Sequence, residues 1–491
     1  MNLFSILEEA AKRWPEDKAV VDDGRSFRYS ELYSAAGSLA AGLRAAGVRA
    51  GDKVGLLCPS SPEYIVAFFA VLRIGGIVVW ISPALKVPEV ALLAEKMAVD
   101  AFCYSAEFRQ LIPERDKGAS VEAPIFPGRS LLFLKLAALG ETPPAEREQL
   151  LKMNAAEIRF SSGTTSSAKG ILVSHASLME RMKSQLTAPP VSKDDSILWP
   201  QSMAWGMAAI AAYFLRGAKI VMADTVKTEM LARVFTQERI TFVQATPLFY
   251  RLLLNDESIT RADLTGVKYF MSGGAPIPDS VADGFHARFG REIIQHYGSG
   301  ECGRVLGHLS ENMRKRGSVG VPLPGFEAKL DSGGLAWTEG GEMGELCVRG
   351  PEMFDGYYRP WRLCDEVLED GWFRTGDLAR RDADGYYWIV GRVKDVINVG
   401  GVKVFPSEVE EVLLSHPAVE EAMVYGAPEP RFGEVAHAKI KLRSGAVCTE
   451  GDLLRHVNER LSVFKSLRSV EFVDEIPKTV TGKPRRRTRV A

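Results

Sequence analysis

The 491-residue sequence predicts a protein of the α/β class, with a large N-terminal part built from strand–helix units, a small β-rich subdomain and an α+β C-terminal part. Two observations predict this. Apolar runs of strand length alternate with segments of helical periodicity, which is typical of a parallel sheet with helices on both faces. Between residues 317 and 390 the pattern changes to short strands separated by Gly-rich turns. A chain of this length also predicts two to four domains or subdomains.

The first 150 residues show the strand–helix alternation most clearly. Ser61-Pro62-Glu63 is a helix start signal, because Ser caps a helix and Pro fits its first turn. Residues 104–150 contain several prolines and predict an irregular, exposed segment. The predicted elements before it are helices over 29–46, 61–73 and 87–97, and buried strands over 53–58 and 77–81.

The alternation resumes after residue 190 and gives way to the β-rich pattern at about residue 317. We predict a domain boundary near residue 391, between residues 1–391 and 392–491. The C-terminal part predicts an α+β domain. The predicted elements are strands over 196–199, 219–222, 241–245 and 267–271, and helices over 229–238, 406–415 and 450–461.

Composition limits the kind of protein. The chain is 46% hydrophobic and 25% charged, as in soluble globular proteins, and its formal net charge of −1 argues against a nucleic-acid partner. Six scattered cysteines indicate a reducing compartment without a disulfide framework or a zinc site. The N-terminus lacks the features of a signal peptide, and the longest apolar run, 77–81, is too short to span a membrane. We therefore expect a cytoplasmic protein without integral membrane contact.

The segment 160–170, Phe-Ser-Ser-Gly-Thr-Thr-Ser-Ser-Ala-Lys-Gly, predicts a phosphate-binding loop. Glycines and small hydroxyl residues leave backbone N–H groups open to an anion, and Lys169 adds a positive charge. The flanking segments 157–160 and 171–174 predict strands, so the loop is expected at the tip of a hairpin rather than in a mononucleotide P-loop. On these residues alone, an exposed flexible loop is an equally good interpretation.

Together with five further segments, this loop resembles the acyl-adenylate-forming superfamily, which includes acyl-CoA synthetases, peptide-synthetase adenylation domains and firefly-type luciferases. Each motif is weak or moderate alone, but their common order over nearly the whole chain is specific. The further segments are Gly273-Gly274-Ala275-Pro276, residues 295–301 (Gln-His-Tyr-Gly-Ser-Gly-Glu), residues 372–378 (Trp-Phe-Arg-Thr-Gly-Asp-Leu), residues 391–410 and residues 477–483 (Pro-Lys-Thr-Val-Thr-Gly-Lys).

The resemblance implies an enzyme that uses ATP and Mg²⁺ to join a carboxylate to AMP. Lys483 would bridge the attacking carboxylate and the α-phosphate, Glu301 would bind Mg²⁺, and Lys394 would be the hinge of a mobile C-terminal domain. Position alone would make Lys483 an exposed tail lysine, Asp377 a common turn residue and Tyr297 a core tyrosine. The implied nucleotide contacts are Ser161, Ser162, Gly163, Thr164, Thr165 and Lys169 for the outer phosphates, Gly273, Gly274, Ala275, Gln295 and Tyr297 around the base, Asp377 and Arg392 at the ribose and α-phosphate, and also Gly298 and Ser299; Lys169, Glu301, Arg392 and Lys483 are the implied catalytic residues.

The sequence departs from the superfamily pattern in the phosphate loop and at Gly300. Ser166 and Ala168 replace a Gly and a Pro of the loop, while its hydroxyls and Lys169 remain. Most relatives carry Thr where this chain has Gly300, and Ser299 is a candidate substitute for its hydroxyl. These departures keep a non-catalytic, nucleotide-binding regulatory protein open as an alternative.

The segment 200–209 aligns with the acyl pocket and contains no acidic residue. An unpaired ammonium group would be costly in such a pocket, so we expect an acid with an apolar body, aryl or of short to medium length, rather than an amino acid. Met203, Trp205, Met207 and Gln244 are the predicted wall residues, although plain core packing also explains the Met and Trp side chains. The expected acceptor is CoA, and the alternative is the phosphopantetheine of a carrier protein.

Overall fold

The computed structural model describes residues 2–112, 120–136, 142–160, 169–187, 189–223, 231–309, 315–333 and 342–477. Its helices are α1 (Phe4–Arg13), α2 (Tyr29–Ala45), α3 (Pro62–Arg73), α4 (Val87–Lys96), α5 (Pro144–Lys152), α6 (His175–Thr187), α7 (Met207–Leu215), α8 (Leu231–Gln237), α9 (Pro247–Asn255), α10 (Asp279–Phe289), α11 (Cys364–Val367), α12 (Pro406–Leu414) and α13 (Glu450–Asn458). Its strands are β1 (Lys18–Asp22), β2 (Arg25–Arg28), β3 (Lys53–Leu57), β4 (Ile77–Trp80), β5 (Ala101–Tyr104), β6 (Val121–Phe126), β7 (Arg129–Lys135), β8 (Ala155–Phe160), β9 (Gly170–Ser174), β10 (Ser196–Trp199), β11 (Lys219–Met222), β12 (Phe242–Ala245), β13 (Tyr269–Ser272), β14 (Ile293–Gln295), β15 (Tyr297–Ser299), β16 (Gly303–Gly307), β17 (Val321–Pro322), β18 (Glu327–Asp331), β19 (Glu342–Arg349), β20 (Gly356–Tyr358), β21 (Arg362–Leu363), β22 (Phe373–Arg381), β23 (Tyr387–Arg392), β24 (Ile397–Val399), β25 (Val402–Val404), β26 (Val419–Glu429), β27 (Gly433–Leu442) and β28 (Leu467–Phe472).

Two large sheets form the N-terminal part, and the predicted α/β class is confirmed. One has the strand order β21-β20-β9-β8-β4-β3-β5-β7-β6, with parallel pairing from β8 through β4 and β3 to β5. The other has the order β14-β13-β12-β10-β11-β1-β2 and is parallel except for the edge pair β1–β2. Helices α1, α2, α3 and α7 contribute buried apolar residues to one continuous core with strands of both sheets. Helix α3 is buried over almost its whole length, and Ser61 caps it by accepting the Tyr64 N–H.

The expected irregular segment over 104–150 is wrong, because it contains β6, β7 and α5. Strand β7 pairs antiparallel with β5, which places Phe133 and Leu134 in the core. Pro124 is tolerated within β6 because β6 is an edge strand with a free side. The prolines suggested a loop, but the pairing of β7 with β5 and the burial of its apolar side chains make this segment part of the sheet.

The β-rich subdomain is present as the antiparallel sheet β18-β19-β22-β23. The C-terminal part has its own sheet, β25-β24-β27-β26 with β28 beside β27, and α12 and α13 pack on it around a separate apolar core. Among the described helices, none combines the length and apolar character needed to cross a bilayer.

Three features of this fold position the site. The hairpin β8–β9 carries the predicted phosphate loop at its tip, with Phe160 opposite Gly170. The parallel strands β12, β13 and β14 end at the same edge of their sheet, where ligands commonly bind in α/β proteins. Strands β22 and β23 place Asp377 directly opposite Arg392.

Candidate active site

A large cleft opens at the carboxyl ends of β12, β13 and β14 and continues between the β-rich subdomain and the C-terminal part. It is open to solvent and has a volume of about 3630 Å³, several times the volume of a pocket for one small ligand. Gly273, Tyr297, Glu301, Asp377 and Arg392 all line it. The fold thus brings together residues that are more than 100 positions apart in the sequence, in a space large enough for a nucleotide and a second substrate.

The carboxylate of Asp377 is fixed from two sides. Tyr297 Oη donates a hydrogen bond of 2.6 Å to Oδ2, and Arg392 Nε lies 2.7 Å from Oδ1. The backbone N–H of Asp377 donates to Thr375 Oγ1 over 3.1 Å, which holds the turn. A carboxylate has about four acceptor positions, so two remain for a ligand's hydroxyl groups. This geometry suits a group that binds the two hydroxyls of a ribose.

Tyr297 serves as a permanent donor in this arrangement. Burial, and after it the charge of Asp377, raises the pKa of Tyr297 well above its usual range, so the phenol stays protonated at any physiological pH. Its side chain is buried and bonded to Asp377, and its edge lines the cleft. Contact of its ring with a base stays a prediction.

Glu301 and Lys169 are connected through a residue that the sequence analysis did not single out, Tyr357 of β20. Tyr357 Oη donates to Glu301 Oε1 over 3.4 Å, and the Lys169 ammonium lies 4.6 Å from the centroid of the Tyr357 ring. Burial, followed by the charge of Glu301, raises the pKa of Tyr357. The predicted phosphate-binding lysine and the predicted Mg²⁺ carboxylate therefore both contact one tyrosine, the lysine at its ring and the carboxylate at its hydroxyl. The other predicted phosphate contacts, Ser161, Ser162, Gly163, Thr164 and Thr165, and the predicted catalytic Lys483 lie outside the described residues.

Glu301 offers one carboxylate to a metal. Within the described residues, no group of three or more His, Cys, Asp or Glu side chains is arranged to hold an ion. A lone carboxylate still fits Mg²⁺, which commonly takes one or two carboxylates and completes its shell with phosphate oxygens and water.

Tyr357→Phe tests the connection to Glu301. The substitution removes the hydrogen bond that orients the carboxylate and keeps the ring beside Lys169. Loss of a partner that orients a metal ligand typically weakens metal binding about 10-fold or more. We expect the Mg²⁺ concentration for half-maximal ATP–pyrophosphate exchange to rise by about that factor.

The matched control is Tyr358→Phe, because consecutive strand residues point to opposite faces. The Tyr358 hydroxyl bonds Glu146, away from the cleft, so this variant should keep the wild-type Mg²⁺ dependence. An unchanged Mg²⁺ requirement in Tyr357→Phe would contradict the role of its hydroxyl.

The turn at Gly300 is held from behind by a buried arginine, Arg181 of α6. Its Nη2 donates to the Gly300 carbonyl over 2.8 Å, and its Nε donates to the Glu352 carbonyl over 3.1 Å. Ser299 Oγ accepts the Glu301 N–H over 3.2 Å, so the hydroxyl already stabilises the turn. Its predicted part in replacing the missing Thr stays a prediction.

Ile171 packs against Gly300, where this chain has no side chain. A Cβ added to Gly300 would lie 2.7 Å from Ile171 Cδ1 and 3.7 Å from Trp205 Cζ3. The end of the isoleucine side chain therefore occupies the space next to this glycine. The departure at Gly300 is accommodated by local packing.

Glu352 lies beneath this turn and is 2% exposed. Burial raises the pKa of Glu352 to about 7, although Ser184, Arg181 and Arg304 lower it in part. Between the ordinary glutamate pKa of 4.5 and 7, the folded protein keeps this proton while the unfolded chain releases it. The free energy of unfolding should therefore fall, by roughly 2 to 4 kcal/mol from this group, as the pH rises through that window.

Glu352→Gln should remove that pH dependence. We expect the melting temperature of the variant, measured by calorimetry, to rise relative to that of the wild type as the pH increases from 4.5 to 7. Glu459→Gln, at the exposed end of α13, is the control and should follow the wild type. A difference that stays constant with pH would show that Glu352 titrates normally.

The predicted base-binding loop, Gly273-Gly274-Ala275, lines the cleft and needs its glycines. A side chain at Gly273 would overlap the His296 ring, and Gly274 has φ +86°, where glycine is favoured. Burial, then the charges of Arg304 and His308, lowers the pKa of His296 to about 3, so its ring is neutral. Gln295 is buried behind the loop and its Oε1 accepts the Ile277 N–H over 2.8 Å. Its contact with a base stays a prediction.

The predicted acyl-pocket residues divide into two groups. Trp205, which is 45% exposed, and Gln244 line the cleft. Met203 and Met207 are fully buried in the core cluster behind that wall, in agreement with the core-packing alternative. Their contact with an acyl group stays a prediction.

The C-terminal part closes one side of the cleft. Lys394 lies in a short 3-10 turn, Val393–Asp395, directly after β23 and lines the cleft. An ion pair of 3.8 Å joins Arg251 of the N-terminal part to Glu421 of β26, and Ser407 donates a hydrogen bond to the Val390 carbonyl. Polar contacts such as these join the two parts among the described residues.

Comparison with known families gives two matches that together span most of the chain. Residues 7–358 match the family described as AMP-binding enzyme, and residues 408–483 match the AMP-binding enzyme C-terminal domain. The feruloyl-CoA synthase of an Amycolatopsis species is 31% identical over 479 residues, covering 96% of this chain and 95% of that protein. The indoleacetate–CoA ligase of Aromatoleum aromaticum is 29% identical and covers 99% of this chain and 97% of that protein.

Solved structures are similar over the same length. ATP-bound MatB from Rhodopseudomonas palustris superposes with a TM-score of 0.83 at 26% identity, covering 99% of this chain and 97% of that one. The anthranilate CoA ligase AuaEII, in complex with anthranoyl-AMP, gives a TM-score of 0.82 at 25% identity, covering 99% of this chain and 95% of that one.

Proposed function

Because this chain belongs to the AMP-binding enzyme family and is an AMP-forming acid–thiol ligase, we propose that it activates an aryl or short-to-medium acyl carboxylic acid with ATP and transfers the acyl group to CoA. The observation that carries the proposal is that the hydrogen-bonded group of Asp377, Tyr297 and Arg392 lines the same cleft as Glu301. We assign the ribose to Asp377, Tyr297 and Arg392, and the phosphates to Glu301 together with Lys169, both of which contact Tyr357.

In the first step, a carboxylate oxygen of the acid attacks the α-phosphorus of ATP and pyrophosphate leaves. Both reactants are anions, so the site must supply positive charge and hold them in line. Lys169 and the loop 161–168 are proposed to bind the leaving phosphates, and Lys483 to bridge the carboxylate and the α-phosphate. Glu301 is proposed to hold the Mg²⁺ ion, which neutralises phosphate charge.

In the second step, the thiol of CoA attacks the acyl carbon and AMP leaves. We propose that the C-terminal domain, residues 392–491, rotates about Lys394 between the two steps. A few residues at a domain boundary absorb such rotations, and small polar contacts such as Arg251–Glu421 break at low cost. Gly400 and Gly401, with φ of +58° and +91°, form the tight turn that we assign to the thiol-binding face.

The acid is proposed from the wall of the pocket. The lining residues from Pro200 to Ala209 include no acidic group for an ammonium, and Trp205, which lines the cleft, is proposed to limit the depth available to a long chain. The names of the aryl-CoA ligases above support an aromatic substrate. CoA is favoured over a carrier protein by the same relatives, and the carrier protein is the second candidate acceptor.

ATP–pyrophosphate exchange across a panel of aryl, short, medium and long-chain acids tests the proposal. We expect exchange with aryl or short-to-medium acids and weak exchange with long-chain and amino acids. Thioester formation should then proceed with free CoA, and with a holo-carrier protein in its place only if the second candidate acceptor is correct. No exchange with any acid would overturn the proposed function.

A further inference from the structure

The wall of the cleft contains a buried polar cluster that the proposed reaction does not use. Glu157 and Arg159 are two residues apart on β8 and therefore lie on the same face of the sheet. They are 0% and 5% exposed, and Arg159 Nε lies 2.5 Å from Glu157 Oε1. Trp80 Nε1 donates to the other oxygen, Oε2, over 3.0 Å. The glutamate thus has an ion pair at Oε1 and a hydrogen bond at Oε2.

Two donor groups of this cluster have atoms without a hydrogen-bond partner in the described part of the chain. They are the Arg159 guanidinium, at Nη2 and also at Nε, whose contact with Glu157 is an ion pair only, and the hydroxyl of Tyr64, whose side chain is 4% exposed. Both side chains lie beside the indole of Trp80. The Tyr64 ring stacks on it with centroids 5.3 Å apart, and Arg159 Cζ is 5.7 Å from the ring centroid. An unpaired buried donor costs free energy, so a cluster of two indicates a ligand for them.

The cluster lies at the wall of the cleft, on the side of the turn that carries Glu301. Tyr64, Trp80 and Arg159 all line the cleft. Arg159 is directly opposite Ile171 in the β8–β9 hairpin, and Ile171 is the residue that packs against Gly300. Adjacent strands are about 5 Å apart, so Arg159 lies roughly that distance from Ile171. The Ile171 side chain in turn borders the turn that carries Glu301.

We propose that Arg159 and Tyr64 bind a hydrogen-bond-accepting oxygen on the acyl group, at a distance from the carboxylate that is activated. An arginine has donors and no acceptor, and the Tyr64 hydroxyl can donate a further hydrogen bond, so the pair favours an acceptor such as a phenolic, methoxy or carboxylate oxygen over an amine. The inference rests on the proposed function and specifies its substrate class: an acid whose otherwise apolar body carries an oxygen substituent.

The test compares aryl acids that differ at a single ring position, which carries hydrogen, methyl, hydroxyl, methoxy, carboxylate or amino. In the wild type, we expect kcat/KM for ATP–pyrophosphate exchange to be about 10-fold or more higher for at least one oxygen-bearing acid than for its methyl analogue. Whether the hydroxyl, methoxy or carboxylate acid is preferred identifies the oxygen. A preference for the aryl acid that carries an amino group at this position would overturn the inference.

Tyr64→Phe assigns the preference to the cluster, because it removes one donor and leaves no buried charge. The oxygen-over-methyl ratio is kcat/KM for the oxygen-bearing acid divided by kcat/KM for its methyl analogue. We expect this ratio to fall about 3- to 10-fold in the variant, while the KM for ATP stays unchanged. The double variant Glu157→Leu, Arg159→Leu removes the ion pair as a unit and should bring the ratio close to one. Removing Arg159 alone would leave Glu157 buried without its partner and endanger folding.

Tyr29→Phe is the matched control. The Tyr29 hydroxyl donates to the Ala218 carbonyl over 2.7 Å in the core, so its loss should affect stability without changing the oxygen-over-methyl ratio. If exchange occurs but the wild type or Tyr64→Phe shows no effect on that ratio, the inference fails and the proposed function stands. If no acid supports exchange, both fail.

Discussion

Replacing Asp377 by alanine is expected to raise the KM for ATP by about 100-fold. Asp377 presents the acceptor positions proposed to bind the ribose hydroxyls, and each hydrogen bond to a charged group contributes about 1.5 to 3 kcal/mol. The substitution also frees the Arg392 side chain, whose Nε lies 2.7 Å from the carboxylate, and leaves the buried Tyr297 hydroxyl without its acceptor. The loss should therefore exceed that of a single contact.

Exchange kinetics measured over a series of ATP concentrations, together with calorimetry of AMP binding, would separate nucleotide binding from chemistry. The KM for the acid should change little when ATP is saturating. Asp382→Ala is the matched control, since Asp382 follows the same strand and pairs with Lys315 over 2.5 Å on the subdomain surface. A large rise in the KM for the acid, with nucleotide binding intact, would place Asp377 at the acyl end instead.

The sequence predicts the frame of this site because its signals are local. The alternation of strands and helices, the Ser61 cap and the hairpin flanks of the phosphate loop each depend on residues close together in the chain. The resemblance then implies a base contact for Tyr297 and ribose or α-phosphate contacts for Asp377 and Arg392, and the structure brings these three side chains within hydrogen-bond distance of one another.

The supporting residues were missed because nothing local marks them. Tyr357 reaches Glu301 only because β20 pairs with β9, more than 180 residues earlier in the chain. Arg181 looks like an ordinary helix residue, yet its guanidinium is buried on the carbonyls behind Gly300. Met203 and Met207 illustrate the opposite case, since a motif alignment selects the segment but not which of its side chains face the core.

Lys483→Ala is expected to lower the rate of adenylation at least 1000-fold and to leave thioester formation from a preformed acyl-adenylate within a few-fold of the wild type. The proposed role of Lys483 is to neutralise charge that develops between the carboxylate and the α-phosphate, and removal of one such donor typically costs 10²- to 10³-fold. A lysine also supplies a full positive charge where two anions meet, so the loss should lie at the upper end.

The two half-reactions must be assayed separately, by ATP–pyrophosphate exchange and by thioester formation from a synthetic acyl-adenylate with CoA. Lys394→Pro is expected to have the opposite effect. A stiffened hinge should retain ATP–pyrophosphate exchange and impair thioester formation. Opposite effects of the two variants would require two arrangements of one mobile domain, with Lys483 acting only in the first. Equal losses of both half-reactions in Lys483→Ala would instead assign this lysine to binding or folding, and the proposed division of labour between the two steps would fail.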